Sequence, residues 1–261
     1  MNRLSQASQR IVSLVPSQTE LLFDLGLTRE VVGITKFCTH PADKVAASTL
    51  IGGTKNVNIN RIAALKPTLI LANYEENTEA DVQALRPIAP VHVTDVKTLS
   101  DALVMIREVG GLVGRAAAAD AMARQIGASF AANRLVGEST GPSVAYLIWR
   151  KPWMVAARDT FIDAMLAEAG FSNAFSDPNW PNAEWVRYPV VTEADLQRAR
   201  PNLLFLSSEP YPFREKHIGE LAQYCPDADI QLVDGELFSW YGSRLLHAAR
   251  YFAKLRSNLI G

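Results

Sequence analysis

Cysteine is nearly absent: two residues in 261, Cys38 and Cys225, far apart in the chain. A disulfide scaffold is excluded and two free thiols are expected, although so few cysteines do not settle the redox compartment. An excess of either charge is missing too. Twenty-six lysines and arginines stand against 27 acidic residues, a net charge of −1. That leaves no broad basic field for nucleic acid. No apolar run approaches the roughly 20 residues of a membrane-spanning helix. The opening MNRLSQASQR lacks the apolar centre of a secretory leader, so the expectation is a cytosolic chain or one whose leader was removed. Enzyme signatures are missing as well: there is no G-x-S-x-G elbow, Walker A loop or H-E-x-x-H. Gly110, Gly111 and Gly114 follow no strand and make no dinucleotide fingerprint.

What is present is an alternation of short apolar strands and amphipathic helices. Arg10–Val15 reads as a buried strand, and Ser17 with Glu20 has capping-box spacing, so a helix is expected from Ser17 to Gly26. Strand–helix pairs recur to Val93. Leu99–Val109 is an amphipathic helix expected to end at Gly110-Gly111. Arg115–Val136 is alanine-rich and proline-free, with Met122, Ile126 and Phe130 on one face. It reads as a helix roughly 33 Å long, either a rigid spacer between two lobes or an ordinary crossover helix. A second α/β series follows. The expected organisation is an N-terminal lobe over 1–113, a linking helix over 114–137 and a C-terminal lobe over 138–261. The sheets should be mostly parallel, with a ligand cleft between two Rossmann-like lobes. An internal echo supports two lobes: ALKPTLILANYEE and RARPNLLFLSSEP align Pro67 with Pro201 and Glu75 with Glu209.

Candidate site residues fall in loops. Trp149, Trp153, Trp180, Trp185, Trp240 and Tyr241 stand outside periodic helices, with Phe37 and Ser239 in similar loops. Rigid rings on loops suit a flat apolar ligand, and the bland alternative for each is a plug in the core. Lys36, Arg150, Lys151, Arg187 and Arg244 could pair with oxygen acceptors; Arg150, between Trp149 and Trp153, is the favoured one, against the reading of a solvated charge. Ser17, Gln18 and Thr19 could meet an anionic group at the first helix. Cys38 and His40 form a C-x-H pair, while His92, His217 and His247 are scattered. A bare ion needs three or four converging ligands, so no metal site is expected. Either Cys38 or His40 could still be a single axial donor to a chelated metal. Glu75, Glu76 and Glu209 could be read as a glycosidase carboxylate pair, but they fit docking charges better.

The segments RIVSLVPSQTELLFDLGL, RIAALKPTLILA and RLLHAARYF, with the long helix, resemble the helical-backbone class of ABC-transporter substrate-binding proteins. The opening strand, proline, small residue and T-E-L are nearest the cobalamin-binding branch. The resemblance spans almost the whole chain. It implies a two-lobed, non-catalytic, monomeric receptor, periplasmic or on the cell envelope. Its ligand would be a metal chelate: cobalamin or another corrinoid first, an iron–siderophore or haem as alternatives. It also implies an ABC permease partner met by one acidic residue on each lobe, Glu79 on the first and Glu209 or Glu215 on the second. A cytosolic chelate carrier and, more remotely, a two-domain α/β enzyme are the other readings.

Overall fold

The structure is a computed structural model describing residues 9–133, 141–177 and 186–260. The chain divides into two compact units. The first holds Met1–Val96, Asp101–Arg124 and Tyr241–Arg244; the second holds Lys97–Ser100, Gln125–Trp240 and Leu245–Gly261.

The first unit carries β1 (Ile11–Ser13), α1 (Pro16–Asp24), β2 (Val31–Ile34), α2 (Ala42–Val45), β3 (Thr49–Leu50), α3 (Ile59–Ala64), β4 (Leu69–Asn73), α4 (Glu79–Leu85) and β5 (Val91–Thr94). Then come α5 (Leu99–Leu112) and α6 (Ala116–Asn133). The five strands form a parallel sheet in the order β3-β2-β1-β4-β5. Both faces of a parallel sheet are covered, so its central strands are mostly apolar; β1 and β4 are buried at every position, each ending in a polar residue, Ser13 and Asn73. On one side Val12, Leu14, Ile62, Ile70, Val82 and Leu85 make a continuous core.

Two helix limits differ from the sequence expectation. Helix α1 starts with Pro16 in its first turn and Val15 as N-cap, and no side chain caps it. Ser17 is therefore no cap. Proline fixes φ and has no N–H to leave unsatisfied, so it takes the first helical turn. Helix α5 runs through Gly110 and Gly111 rather than stopping there. A Cβ on Gly110 would lie 2.1 Å from the Ala119 Cβ, so this glycine lets α5 and α6 approach closely. The long helix ends its described course at Asn133, and residues 134–140 lie outside the described residues.

The second unit carries β6 (Ser143–Trp149), β7 (Trp153–Val155), α7 (Phe161–Glu168), β8 (Ser172–Asn173), β9 (Val190–Val191), α8 (Glu193–Ala199) and β10 (Leu203–Ser207). It ends with α9 (Lys216–Ala222), β11 (Asp229–Val233), α10 (Gly235–Ser239) and α11 (Leu245–Ile260). Its sheet runs β11-β10-β6-β7-β9 with β8 beside β6. The pairs β10–β11, β10–β6 and β6–β8 are parallel, whereas β7 is antiparallel to both β6 and β9. The stretch around Trp153, read from sequence as loop, is thus a strand. The echoed segments occupy matching places: β4 lies between β1 and β5, and β10 between β6 and β11.

Candidate ligand-binding site

At the carboxyl ends of the first unit's strands the backbone opens into loops, held by a buried polar net. Thr19 Oγ1 donates to Val15 O (2.9 Å) and lies 2.8 Å from Ser13 Oγ. Cys38 Sγ sits 3.1 Å from Thr19 Oγ1 and 3.3 Å from Thr35 Oγ1. Gln18 Nε2 donates to Thr94 Oγ1 (2.6 Å) and Asn73 Nδ2 to Thr94 O (3.0 Å). Asn77 accepts from Asn73 N (2.8 Å) and donates to Thr54 O (2.9 Å). With their polar groups paired inward, the loops after β2 and β4 point one ring each outward. Phe37 is 51 % exposed, with Lys36 Nζ 5.1 Å from its ring centre, and Tyr74 is 66 % exposed. Both rings therefore stand out from the core on loop bases held by hydrogen bonds.

This net bears on Cys38, one of the two candidate axial donors. The Cys38 thiol is buried, and burial holds its pKa above the ordinary thiol value. It remains a protonated packing group and offers no outward sulfur. His40 is half-buried. Ser17 and Gln18 are also buried, Gln18 wholly. Among the described residues no three His, Cys, Asp or Glu side chains gather where they could hold an ion.

The second unit repeats the plan at the ends of β6 and β10. Trp149 closes β6 and is 41 % exposed; its ring meets Tyr211 edge-on at 5.8 Å. Behind Tyr211 lie Phe213 (4.8 Å) and His217 (5.6 Å). Arg214 N donates to His217 Nδ1 (2.9 Å), which leaves the proton on Nε2, 3.4 Å from the Tyr211 hydroxyl. Burial first, then Lys216 and Arg150, push the His217 pKa down, so the ring is neutral at neutral pH. Tyr74 and Tyr211 were not singled out from sequence, though each stands in a polar loop directly after an apolar strand.

Several sequence candidates are packing groups. Trp153 is buried in the second unit's core, stacked on Phe213 at 10° and 6.3 Å, with Nε1 donating to Glu193 Oε1 (3.2 Å). Arg150, the favoured cation, is already spoken for: Nε and Nη2 donate to Glu220 at 2.8 and 3.0 Å. A bidentate pair fixes the guanidinium and gives its charge a partner. Trp240 and Tyr241 are 6 % and 5 % exposed. Ser239 Oγ and Trp240 Nε1 both donate to Glu209 Oε1, at 2.5 and 2.8 Å. One oxygen of the half-buried Glu209 carboxylate is thus taken up within the unit, which does not suit a freely exposed docking charge. Arg244 pairs with Glu20 through Nε (3.0 Å) and Nη2 (2.6 Å), and Arg187 Nη2 lies 3.4 Å from Asp159. Trp180 and Trp185 lie outside the described residues.

Glu79 is exposed at the start of α4, where Thr78 is the N-cap. A second acidic position matches it. TEADVQALRP (78–87) and TEADLQRARP (192–201) share Thr, Glu, Ala, Asp, Gln, Arg and Pro in the same order. In both, threonine caps the helix and accepts from the aspartate N–H three residues on. Glu193 is exposed at the start of α8. The repeat is carried by the sequence itself, in a different alignment from the proline-aligned echo. Glu215 is exposed at the N-cap of α9, in a segment with no counterpart of that pattern.

The profile of the periplasmic binding protein family matches residues 11–218. A vitamin B12-binding protein of Pectobacterium carotovorum subsp. carotovorum (strain PC1) is 24% identical over 248 residues, covering 93% of this chain and 86% of its own. An uncharacterized ABC transporter substrate-binding lipoprotein of Bacillus subtilis (strain 168), YvrC, is 27% identical over 77% of this chain and 64% of its own. Among solved structures, the periplasmic heme-binding protein RhuT from Roseiflexus sp. RS-1 has a TM-score of 0.80 at 24% identity, covering 98% of this chain and 100% of its own. The periplasmic vitamin B12-binding protein BtuF of Vibrio cholerae has a TM-score of 0.75 at 19% identity, over 97% and 98%.

Proposed function

The chain belongs to the periplasmic binding protein family, and we propose that it captures a metal chelate with a flat macrocycle, cobalamin or another corrinoid, for an ABC importer. Membership makes it a solute-binding protein and not an enzyme. The observation that carries the ligand reading is the pair of exposed aromatic groups at strand ends: Phe37 and Tyr74 on the first unit, and Trp149, backed by Tyr211, on the second. Such rings bind a broad apolar face with little loss of side-chain freedom. The B12-binding relatives support the corrinoid over haem or a ferric siderophore. We place the protein in the periplasm or on the cell envelope, in line with its family; no helix among the described residues is long and apolar enough to cross a membrane.

Calorimetric titration with cyanocobalamin, haemin and a ferric siderophore tests this reading. One-to-one, sub-micromolar binding of cyanocobalamin is the expected result. Tight binding of haemin alone would move the assignment to a porphyrin, and no binding of any of the three would end the macrocycle reading.

For the importer we assign docking to Glu79 and Glu193, exposed acidic residues at the start of one helix in each unit. Rim charges act on encounter and partner choice. Glu79→Ala with Glu193→Ala is expected to leave ligand affinity within twofold and to weaken stimulation of the importer ATPase by tenfold or more. Unchanged stimulation would clear both residues of that role.

A further inference from the structure

Glu209 is held through its backbone and through one carboxylate oxygen. It follows β10, and its N–H donates to Ser207 Oγ (3.3 Å), while that hydroxyl donates to Glu209 O (2.5 Å) and accepts from the Tyr146 hydroxyl (3.1 Å). Across from it, a Cβ on Gly235 would lie 2.3 Å from Ser207 Oγ and 2.8 Å from Glu209 Cγ. Only glycine lets the start of α10 close on this loop. Ser239 and Trp240 then both donate to Oε1. No lysine or arginine pairs with the carboxylate among the described residues, and the charges that reach it are those of Glu236 and Asp234, both acidic. Burial, foremost, raises its pKa above the ordinary glutamate value. Even half-buried, an acid kept without a cation is disfavoured, and such groups gather at functional positions. Its Oε2 carries no hydrogen bond among the described residues, so one acceptor remains unused.

Building on the chelate-binding reading, we propose that Glu209 is a specificity-determining residue whose carboxylate accepts hydrogen bonds from ligand amide groups and turns away ligand carboxylates. An ionised carboxylate can only accept. A primary amide offers it two N–H donors, whereas a second carboxylate brings a like charge and no donor. The residue thus favours a macrocycle edged with carboxamides over one edged with propionates.

The test uses ligand pairs that share a ring and differ only at this group: cyanocobalamin with its monocarboxylic acids, and haemin bis-amide with haemin. Each is titrated at pH 8 into the wild-type protein and Glu209→Gln. The glutamine keeps an oxygen for Trp240 and Ser239 but gains an N–H₂, and its melting temperature reports on folding. In the wild type, the amide member of whichever pair binds is expected to bind at least tenfold more tightly. In Glu209→Gln the acid member regains affinity and the ratio falls towards one. A residue that merely anchors Trp240 would weaken both members alike and leave the ratio unchanged, which would overturn the proposal. If a ring binds with no preference in the wild type, the proposal fails and the function stands. If neither ring binds, both fail together.

Discussion

Replacing Tyr74 and Trp149 together by alanine is expected to weaken cyanocobalamin binding by roughly a hundredfold, about 1.4 kcal/mol for each ring. Both side chains are large, substantially exposed and carried on bases that do not need them. Tyr74 N donates to Thr94 O through the backbone (2.9 Å), and the loop beneath is closed by Asn73 and Asn77. Trp149 meets Tyr211 edge-on. Removing exposed rings of this kind changes stability little, so the loss should appear in affinity while the unfolding midpoint stays nearly constant. Calorimetry reads the first and thermal melting the second. Retained affinity would mean that the exposed rings are not the ligand surface. A matching fall in melting temperature would mean that they are packing groups despite their exposure.

Arg244→Ala should be the most damaging single change to stability among the charged residues, at about 3 kcal/mol. Arg244 and Glu20 are 16 % and 12 % exposed and meet through two hydrogen bonds. Glycine at 242 allows the same segment to approach Ser17, since a Cβ there would lie 2.4 Å from Ser17 O. Taking the arginine away leaves a buried carboxylate with Asp24 nearby. Burial already holds the Glu20 pKa above its ordinary value, against the pull of Arg244 and His40. Loss of Arg244 lifts it further. A carboxyl with a raised folded pKa favours folding in its protonated form; that contribution is complete below the unfolded pKa and is lost as pH rises through the folded one. The defect of Arg244→Ala relative to wild type should therefore be smallest in mild acid and grow toward pH 8. Urea unfolding at pH 5 and pH 8 checks it, with Glu20→Gln on the Arg244→Ala background expected to recover part of the loss. An equal defect at both pH values would mean that Arg244 contributes packing rather than charge.

The alternation of strand and helix was legible because it is a local property. β1, β4, β6 and β10 are short apolar runs bounded by polar loops, and a central parallel strand has to be apolar on both faces. The proline-aligned echo marked β4 and β10, which occupy matching places in their sheets. The free thiols followed from two isolated cysteines, and both are buried. Exposure in a loop is different, because it depends on what folds back onto the loop. Trp149 and Trp153 are four residues apart in one aromatic stretch, yet one is 41 % exposed and the other 7 %. The return of β7 along β6 takes Trp153 onto Phe213 and leaves Trp149 at the strand end. Arg150 lies between them and is claimed by Glu220, seventy residues on. Glu209 looked like a surface charge until Trp240 came round to donate to it. The order of residues alone therefore determined that this is a two-series α/β chain of the binding-protein class. Which rings and charges face outward was decided only in three dimensions, because burial and ion pairing are set by partners distant in sequence.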